Sequence, residues 1–366
     1  MPSTPAQPSP RCIALASFTN MFTVGTLYTL SILQAQLPRL FDIPQSWVYT
    51  PFTCAGLGLA LGVGTCSSLV ERLNARTATA TGSMLWGFAV FLTGHSLAMA
   101  SFGYILAALF FGGIGVGWTY LAVVVWVGEN LPVSSLARTT IGPLGFSSGA
   151  AVCFTLSSVP KFDDLTSMEL GTFLKLAGGG FITVGITTLA LVPGKYHDTV
   201  QKPGQTSGPP SLAGTLPGSS LFQLLLFFNA LPGITIFAAF LPTVKYHTTA
   251  ESPYILPHYL IPLILGSILS PTLSRLLRPK PLFSTLFIFR GIALLTFAHT
   301  PSEPIFLLTL GIILFAHGVG FSTLPGVAGC VLNALLMSES DDFTPVARVL
   351  AGIVLGFAGY MKFVNF

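Results

Sequence analysis

The stretch Val70–Arg76, Val-Glu-Arg-Leu-Asn-Ala-Arg, ends a long apolar run with three charged side chains. A related stretch, Leu273–Arg278 (Leu-Ser-Arg-Leu-Leu-Arg), ends another apolar run, and there Arg275 repeats Arg72 after 203 residues. Two charged loops in the same apolar context predict that the chain consists of two similar halves.

The repeat continues downstream of these loops. Gly115–Thr119 (Gly-Val-Gly-Trp-Thr) returns at the same spacing as Gly318–Ser322 (Gly-Val-Gly-Phe-Ser). After a slip of seven residues the match resumes, and Gly149 returns as Gly359. Two similar apolar halves are typical of many secondary transporters.

The composition predicts an integral membrane protein. Hydrophobic residues make up 52% of the chain, charged residues 8%, and the mean hydropathy is +0.76, whereas soluble domains carry about 25% charged residues. The net charge of +4 is scattered without a basic stripe, which argues against nucleic-acid binding. The five cysteines lack C-x-x-C spacing, and no nucleophile motif is present. We therefore expect no enzyme activity, no cofactor and no metal site.

We predict eleven membrane helices, each near the length of about 20 residues that a bilayer requires. The segment 194–219 is rich in Pro, Gly and Ser and is typical of a flexible linker. It divides an N-terminal six-helix bundle (12–193, after a disordered N-terminus at 1–11) from a C-terminal five-helix bundle (220–366). The fold class is all-α, with two pseudo-symmetric bundles and a twelfth helix apparently missing. The predicted helices are about 12–34, 47–70, 77–98, 102–127, 137–158, 170–192, 220–243, 253–274, 282–299, 304–333 and 345–364.

The distribution of cations predicts the orientation. With the N-terminus and the linker in the cytoplasm, Lys and Arg residues in cytoplasmic segments outnumber those on the opposite side. The positive-inside rule favours this topology. We expect a monomeric multi-pass protein of the plasma membrane.

The Glu71–Arg76 loop and its second copy resemble the signature of the major facilitator superfamily, an acidic-Arg-x-Gly-Arg-type loop between helices two and three and between helices eight and nine. Here Glu71 replaces the usual Asp, and Asn74 replaces Gly. The segments Gly25–Ser31 and Gly115-x-Gly117-x-x-Tyr120 look like the oxalate–formate antiporter and monocarboxylate-porter branches. The resemblance implies two helical bundles that transport a small organic solute by alternating access.

Six charged residues are candidates for a gate. Their side chains can form charge-assisted bonds between the halves when the cytoplasmic side is closed. The alternative is that they only orient the chain during insertion. The candidates are Glu71, Arg72, Arg76, Arg138, Arg275 and Arg278.

The substrate-binding candidates are polar and aromatic residues on helices one, four, seven and ten, which the resemblance implies line the cavity. Such a lining suits a moderately apolar or weakly acidic organic molecule. For each residue the alternative is packing, and a buried amide can equally tie two helices together. The candidates are Asn20, Tyr28, Trp118, Tyr120, Asn229, Phe237, His317 and Phe321.

Two residues inside predicted membrane helices are charged or titratable, Arg290 and His317. Arg290 lies well inside an apolar run, and an intramembrane charge is a functional-site hypothesis, although a structural partner is the alternative. His317 precedes Gly318 in a predicted cavity helix, and histidine can carry a proton near neutral pH. Protons are therefore the candidate coupling ion.

The sequence favours a secondary-active transporter of a small organic solute, monocarboxylate-like or an apolar organic acid. Two alternatives stay open. One is an exporter of a secondary metabolite or drug-like compound. The other is a transporter-like receptor or scaffold that no longer transports. The lipid bilayer and a small-molecule substrate are the expected partners.

Overall fold

The computed structural model describes residues 9–44, 47, 50–131, 137–157, 165–192, 261–299 and 303–336. The predicted linker and the predicted seventh and eleventh helices lie outside this part of the chain. So do Asn229 and Phe237, and the side chains of Arg138 and Phe321 are likewise not described.

The described residues form ten α-helices and one short 3₁₀ segment, and the all-α prediction is confirmed for them. In the first half they are α1 (Pro10–Gly25), the 3₁₀ segment Thr26–Thr29, α2 (Leu30–Phe41), α3 (Thr50–Leu73), α4 (Ala75–Ala98), α5 (Phe102–Asn130), α6 (Ala137–Ser157) and α7 (Ser167–Leu191). In the second half they are α8 (Ile261–Leu277), α9 (Pro279–His299) and α10 (Glu303–Leu336).

The first predicted membrane helix differs from the observed one. Prediction placed it at about 12–34, whereas helical backbone runs from Pro10 to Phe41 with a 3₁₀ break. Ser9 caps its start by accepting a hydrogen bond from the Cys12 amide, and proline occupies the first helical position, where its missing N–H is not needed. The helix continues through Pro38.

Two described helices, α5 and α7, are by themselves long and apolar enough to cross a membrane. Shorter apolar stretches lie in α3, α8, α9 and α10. α4 is as long as α3 and, like α3, carries Thr, Ser and Gly along its length. Several of these polar side chains are buried against neighbouring helices, so α4 is suited to a position inside a bundle.

Within the first half, α4 packs between α5 and α7, α5 also packs on α3, and α1 packs on α6. Gly25 and Gly149 explain the last of these pairs. A methyl group on Gly25 would overlap the backbone carbonyl of Phe146, and one on Gly149 would overlap that of Phe22. Only glycine permits this approach, and small residues at such positions let membrane helices pack closely.

The second half repeats this arrangement, with α8 packed on α10 and α9 on α10. The turn before α4 places Asn74 at φ 68°, and the turn before α9 places Arg278 at φ 59°. Both angles are left-handed, a conformation that glycine and asparagine adopt most readily. The same strained turn at corresponding places supports the internal repeat.

Packing shifts the correspondence from the one that sequence matching gave. Gly117 of α5 lies against Leu59 and Val63, and Gly318 of α10 lies against Leu263 and Ser267 in the same manner. Gly318 therefore takes the packing place of Gly117, not of Gly115. Equivalent positions in α5 and α10 are 201 residues apart, and those in α3 and α8 are 204 residues apart. The constant spacing of 203 residues was therefore approximate.

Candidate functional site

Four buried polar side chains lie where the two halves meet, and we call them the central cluster: Tyr28, Ser147, Ser267 and His317. Tyr28 and Ser147 belong to the first half, and Ser267 and His317 to the second. All four are less than 5% exposed. α6 also packs on α8 and α10, so the cluster lies where the described helices of the halves are in contact.

Tyr28 and His317 form the first bond of the central cluster. The Tyr28 hydroxyl and the His317 Nε2 atom are 2.6 Å apart, and either can donate, depending on the imidazole tautomer. The two rings meet edge to face with centroids 6.2 Å apart. The Tyr28 ring also meets Phe146 edge to face at 6.0 Å. Both predicted substrate-binding residues are thus brought together at the contact of the halves.

Ser147 and Ser267 form the second bond, with their hydroxyl oxygens 3.0 Å apart. Ser267 can also donate to the Leu263 carbonyl of its own helix at 3.1 Å. The two hydrogen bonds are adjacent. Ser147 directly follows Phe146, whose ring contacts Tyr28, and Gly318, which adjoins Ser267, directly follows His317. A methyl group on Gly318 would lie 3.0 Å from the Ser267 hydroxyl.

The local backbone explains how Tyr28 reaches His317. Tyr28 lies in the 3₁₀ segment that interrupts the first membrane helix directly after Gly25. The Thr26 hydroxyl donates to the Thr23 carbonyl and accepts a bond of 3.0 Å from the Trp86 indole. The break in the helix is therefore anchored to α4, and a 3₁₀ turn inside a helix often marks a functional position.

Arg290 lies behind the central cluster. Its side chain is fully buried, and its Nη2 atom donates to the Ala316 carbonyl at 3.2 Å. Its guanidinium also lies 4.8 Å from the centre of the Phe287 ring, a favourable cation–π distance. Arg290 thus contacts α10 one residue before His317, which favours a role as a structural partner of that helix.

Asn20 and Trp118 form hydrogen bonds with residues outside the central cluster. The Asn20 amide donates to Thr188 of α7 and to Ala16, each at 2.7 Å, so it ties α1 to α7. Tyr120 is buried in a core cluster that includes residues of both halves. The half-buried Trp118 donates its indole proton to the exposed Thr65 at 2.9 Å. Helix phasing places Trp118 on the same face of α5 as Phe111, which is 55% exposed, and not beside Tyr28.

The predicted gate residues divide into two groups. Arg76 donates to the Leu189 carbonyl at 3.3 Å and to the Val192 carbonyl, so it caps the C-terminus of α7 within the first half, where a cation is favoured. This contact differs from the predicted bond between halves. Four others are exposed at helix ends: Glu71, Arg72, Arg275 and Arg278.

Sequence reasoning missed Ser147 and Ser267. Each stands beside a glycine-rich packing face, near Gly145 and Gly149 in α6 and directly after Gly266 in α8. A hydroxyl next to a close helix contact can reach the neighbouring helix. The glycines beside Ser147 and Ser267 were the sequence signal for such a contact. Within the described ranges, no group of three His, Cys, Asp or Glu residues could hold a metal ion.

Comparison with known proteins places this arrangement among transporter folds. No protein-family profile matches the sequence. An 82-residue segment is 32% identical to YhjX, an uncharacterized MFS-type transporter of Escherichia coli (strain K12). That segment is 22% of this chain and 20% of YhjX, so the match spans about a fifth of the relative's length.

Two solved structures share the fold over nearly the whole chain. The D-xylose-proton symporter has a TM-score of 0.60 at 13% identity, with 97% of this chain and 89% of the symporter covered. The nucleoside transporter NupG has a TM-score of 0.55 at 13% identity, with 97% and 88% covered. The chain therefore has the all-helical, multi-pass fold of these transporters.

Proposed function

We propose that this protein is a secondary-active transporter of the major facilitator type, which moves a small organic solute by alternating access. The observation that carries this proposal is the central cluster. Two hydrogen bonds between polar, buried side chains join the halves in a fold that a proton symporter and a nucleoside transporter share.

Alternating access requires the halves to part on one side of the membrane and then on the other. Contacts between the halves must therefore break and re-form at little cost. A hydrogen bond between side chains has a net worth of only about 1 kcal/mol, and pairs inside membranes average about 0.6 kcal/mol. The central cluster meets this requirement better than a seam of interlocked backbones would.

The chemistry of the central cluster limits the solute. It offers hydroxyl groups and one imidazole, and among its members only His317 can carry a positive charge. Arg290 is directed at the Ala316 carbonyl. We propose a weakly acidic or moderately apolar organic solute, monocarboxylate-like, which exchanges hydrogen bonds with Tyr28 and His317 as the halves part.

His317 is the proposed coupling residue. When its bond to Tyr28 breaks, the imidazole nitrogen is free to accept a proton from one side and to release it to the other. In this proposal the protein is a monomer in the plasma membrane with a cytoplasmic N-terminus, and the exposed residues Glu71, Arg72, Arg275 and Arg278 act at that side.

Flux in proteoliposomes tests the proposal. Purified protein is reconstituted with an imposed pH gradient, and uptake of labelled monocarboxylates and neutral organic solutes is measured against empty vesicles. Saturable uptake of at least one solute class is expected. Absence of flux for every solute, with binding retained, would instead favour a receptor or scaffold.

The variant His317→Gln separates coupling from structure. Glutamine keeps hydrogen-bonding capacity but does not titrate, so uptake should no longer respond to the pH gradient while exchange of solute continues. The matched control is His299→Gln, since His299 is exposed and its Nδ1 atom bonds the Leu295 carbonyl of its own helix. An unchanged pH response in His317→Gln would remove His317 from the coupling mechanism.

A further inference from the structure

An open groove runs along the outer face of the first half, between α4 and α5. Its volume is about 480 Å³. The large side chains along it are strongly exposed, with Phe88 at 50%, Phe111 at 55% and Met99 at 57%. The groove shares no lining residue with the central cluster. The full lining is Leu85, Phe88, Ala89, Leu92, His95, Ser96, Met99, Tyr104, Ala107, Ala108 and Phe111.

The length of the groove matches one leaflet of a bilayer. On α4 it extends from Leu85 to Met99, which is about 21 Å at 1.5 Å per residue. One leaflet of hydrocarbon is about 15 Å deep, and a headgroup region follows it. In a bilayer centred on α4, the groove would begin near the midplane and end in the headgroup region, beside the turn that joins α4 to α5.

Polarity changes along the groove in the direction that a lipid requires. The deep part is lined by apolar side chains such as Leu85, Phe88 and Phe111. The polar side chains of His95 and Tyr104 lie near the turn, and Tyr104 is 63% exposed, as aromatic residues often are at the membrane interface. The backbone of Lys175 lies against Gly94, so a cationic side chain starts beside the residue that precedes His95.

We propose that this groove is a binding site for a phospholipid. One acyl chain lies along α4 and α5, and the phosphate accepts hydrogen bonds from His95 and Tyr104 at the mouth, with Lys175 supplying positive charge nearby. Small side chains at Ala107 and Ala108 leave room for the chain. In the second half, Leu308 stands in the place of Ala107 by the packing equivalence and is 65% exposed, so the site belongs to the first half.

Lipid binding to the purified protein tests this proposal without any measurement of transport. Native mass spectrometry in detergent counts bound phosphatidylglycerol during a titration. The variant Ala107→Trp fills the groove and should weaken the tightest binding event at least tenfold. The control is Ala190→Trp, which makes the same change at an exposed alanine of α7 and should leave binding unchanged.

The headgroup is tested with diacylglycerol, which carries the same chains but lacks the phosphate. Diacylglycerol should bind at least tenfold more weakly than phosphatidylglycerol, and His95→Gln combined with Tyr104→Phe should abolish that preference. Equal affinity of wild type and Ala107→Trp would overturn the site. Equal affinity for the two lipids would overturn the assignment of the phosphate.

Discussion

The seams within each half differ in kind from the contact between the halves. Within the halves, glycines press helix backbones together, as Gly149 does against Phe22 in the first half and Gly318 against Leu263 in the second. Between the halves, side chains join through two hydrogen bonds, Tyr28 to His317 and Ser147 to Ser267, and through apolar side chains of a core cluster that includes residues of both halves. Backbone contacts of the first kind have no second arrangement, whereas hydrogen bonds can exchange partners. In the proposed mechanism, this difference suits two bodies that move as units and separate at their contact.

The largest expected effect comes from one methyl group in a seam. Gly149→Ala places that group on the Phe22 carbonyl and should destabilise the fold by about 3 kcal/mol, the upper range for overpacking. Thermal unfolding in detergent measures it.

Gly179→Ala is the matched control, because nothing lies within 4 Å of the added group. This variant should be neutral or stabilised by up to about 1 kcal/mol, since alanine favours a helix over glycine. Equal effects at both glycines would contradict the rigid seam.

A smaller effect is expected at the end of α7. Arg76→Gln removes charge-assisted bonds to Leu189 and Val192 and should lower stability by about 2 kcal/mol. The same change at the exposed Arg72 should leave the melting temperature unchanged and slow transport if Arg72 acts in the gate. Thermal unfolding and initial uptake rates, measured on both variants, separate the two roles. A loss of stability at Arg72 with none at Arg76 would reverse this assignment.

The smallest effect is expected between the halves. A double-mutant cycle of Ser147→Ala and Ser267→Ala should give a coupling energy of about 0.6 kcal/mol. Ser148 bonds only the Leu144 carbonyl of its own helix, so the cycle with Ser148→Ala should give none. Coupling of several kcal/mol at Ser147 would mean that the halves are fused, and alternating access would then need another route.

The fold could be predicted from the sequence because the apolar runs and the internal repeat extend along most of the chain. Runs of apolar residues and paired glycine-rich helices predicted helices in two halves. The 3₁₀ break at Thr26–Thr29 was not predicted, because it depends on a bond between Thr26 and the distant Trp86. The predicted length was least accurate for the first helix, which continues through Pro38 to Phe41.

The candidate site was predicted in part for a related reason. Tyr28 and His317 carry chemistry that is visible in the sequence, and both lie in the central cluster. Trp118 and Asn20 carry similar chemistry, but helix phasing and the contact with Thr188 direct them elsewhere. A shift of one residue along a helix moves a side chain about 100° around the helix axis. Composition does not determine that angle.

The contact of Arg76 with the end of α7 has a consequence for biosynthesis. Its acceptor carbonyls lie 113 and 116 residues further along the chain. At a synthesis rate of about 5–20 residues per second, α7 emerges roughly 6–23 seconds after α4. Throughout that interval the guanidinium of Arg76 has to be solvated by water or lipid headgroups at the membrane surface. Closure of the first bundle therefore awaits the last of its helices, and an arrest of translation before Leu189 would leave Arg76 of α4 without its acceptor carbonyls.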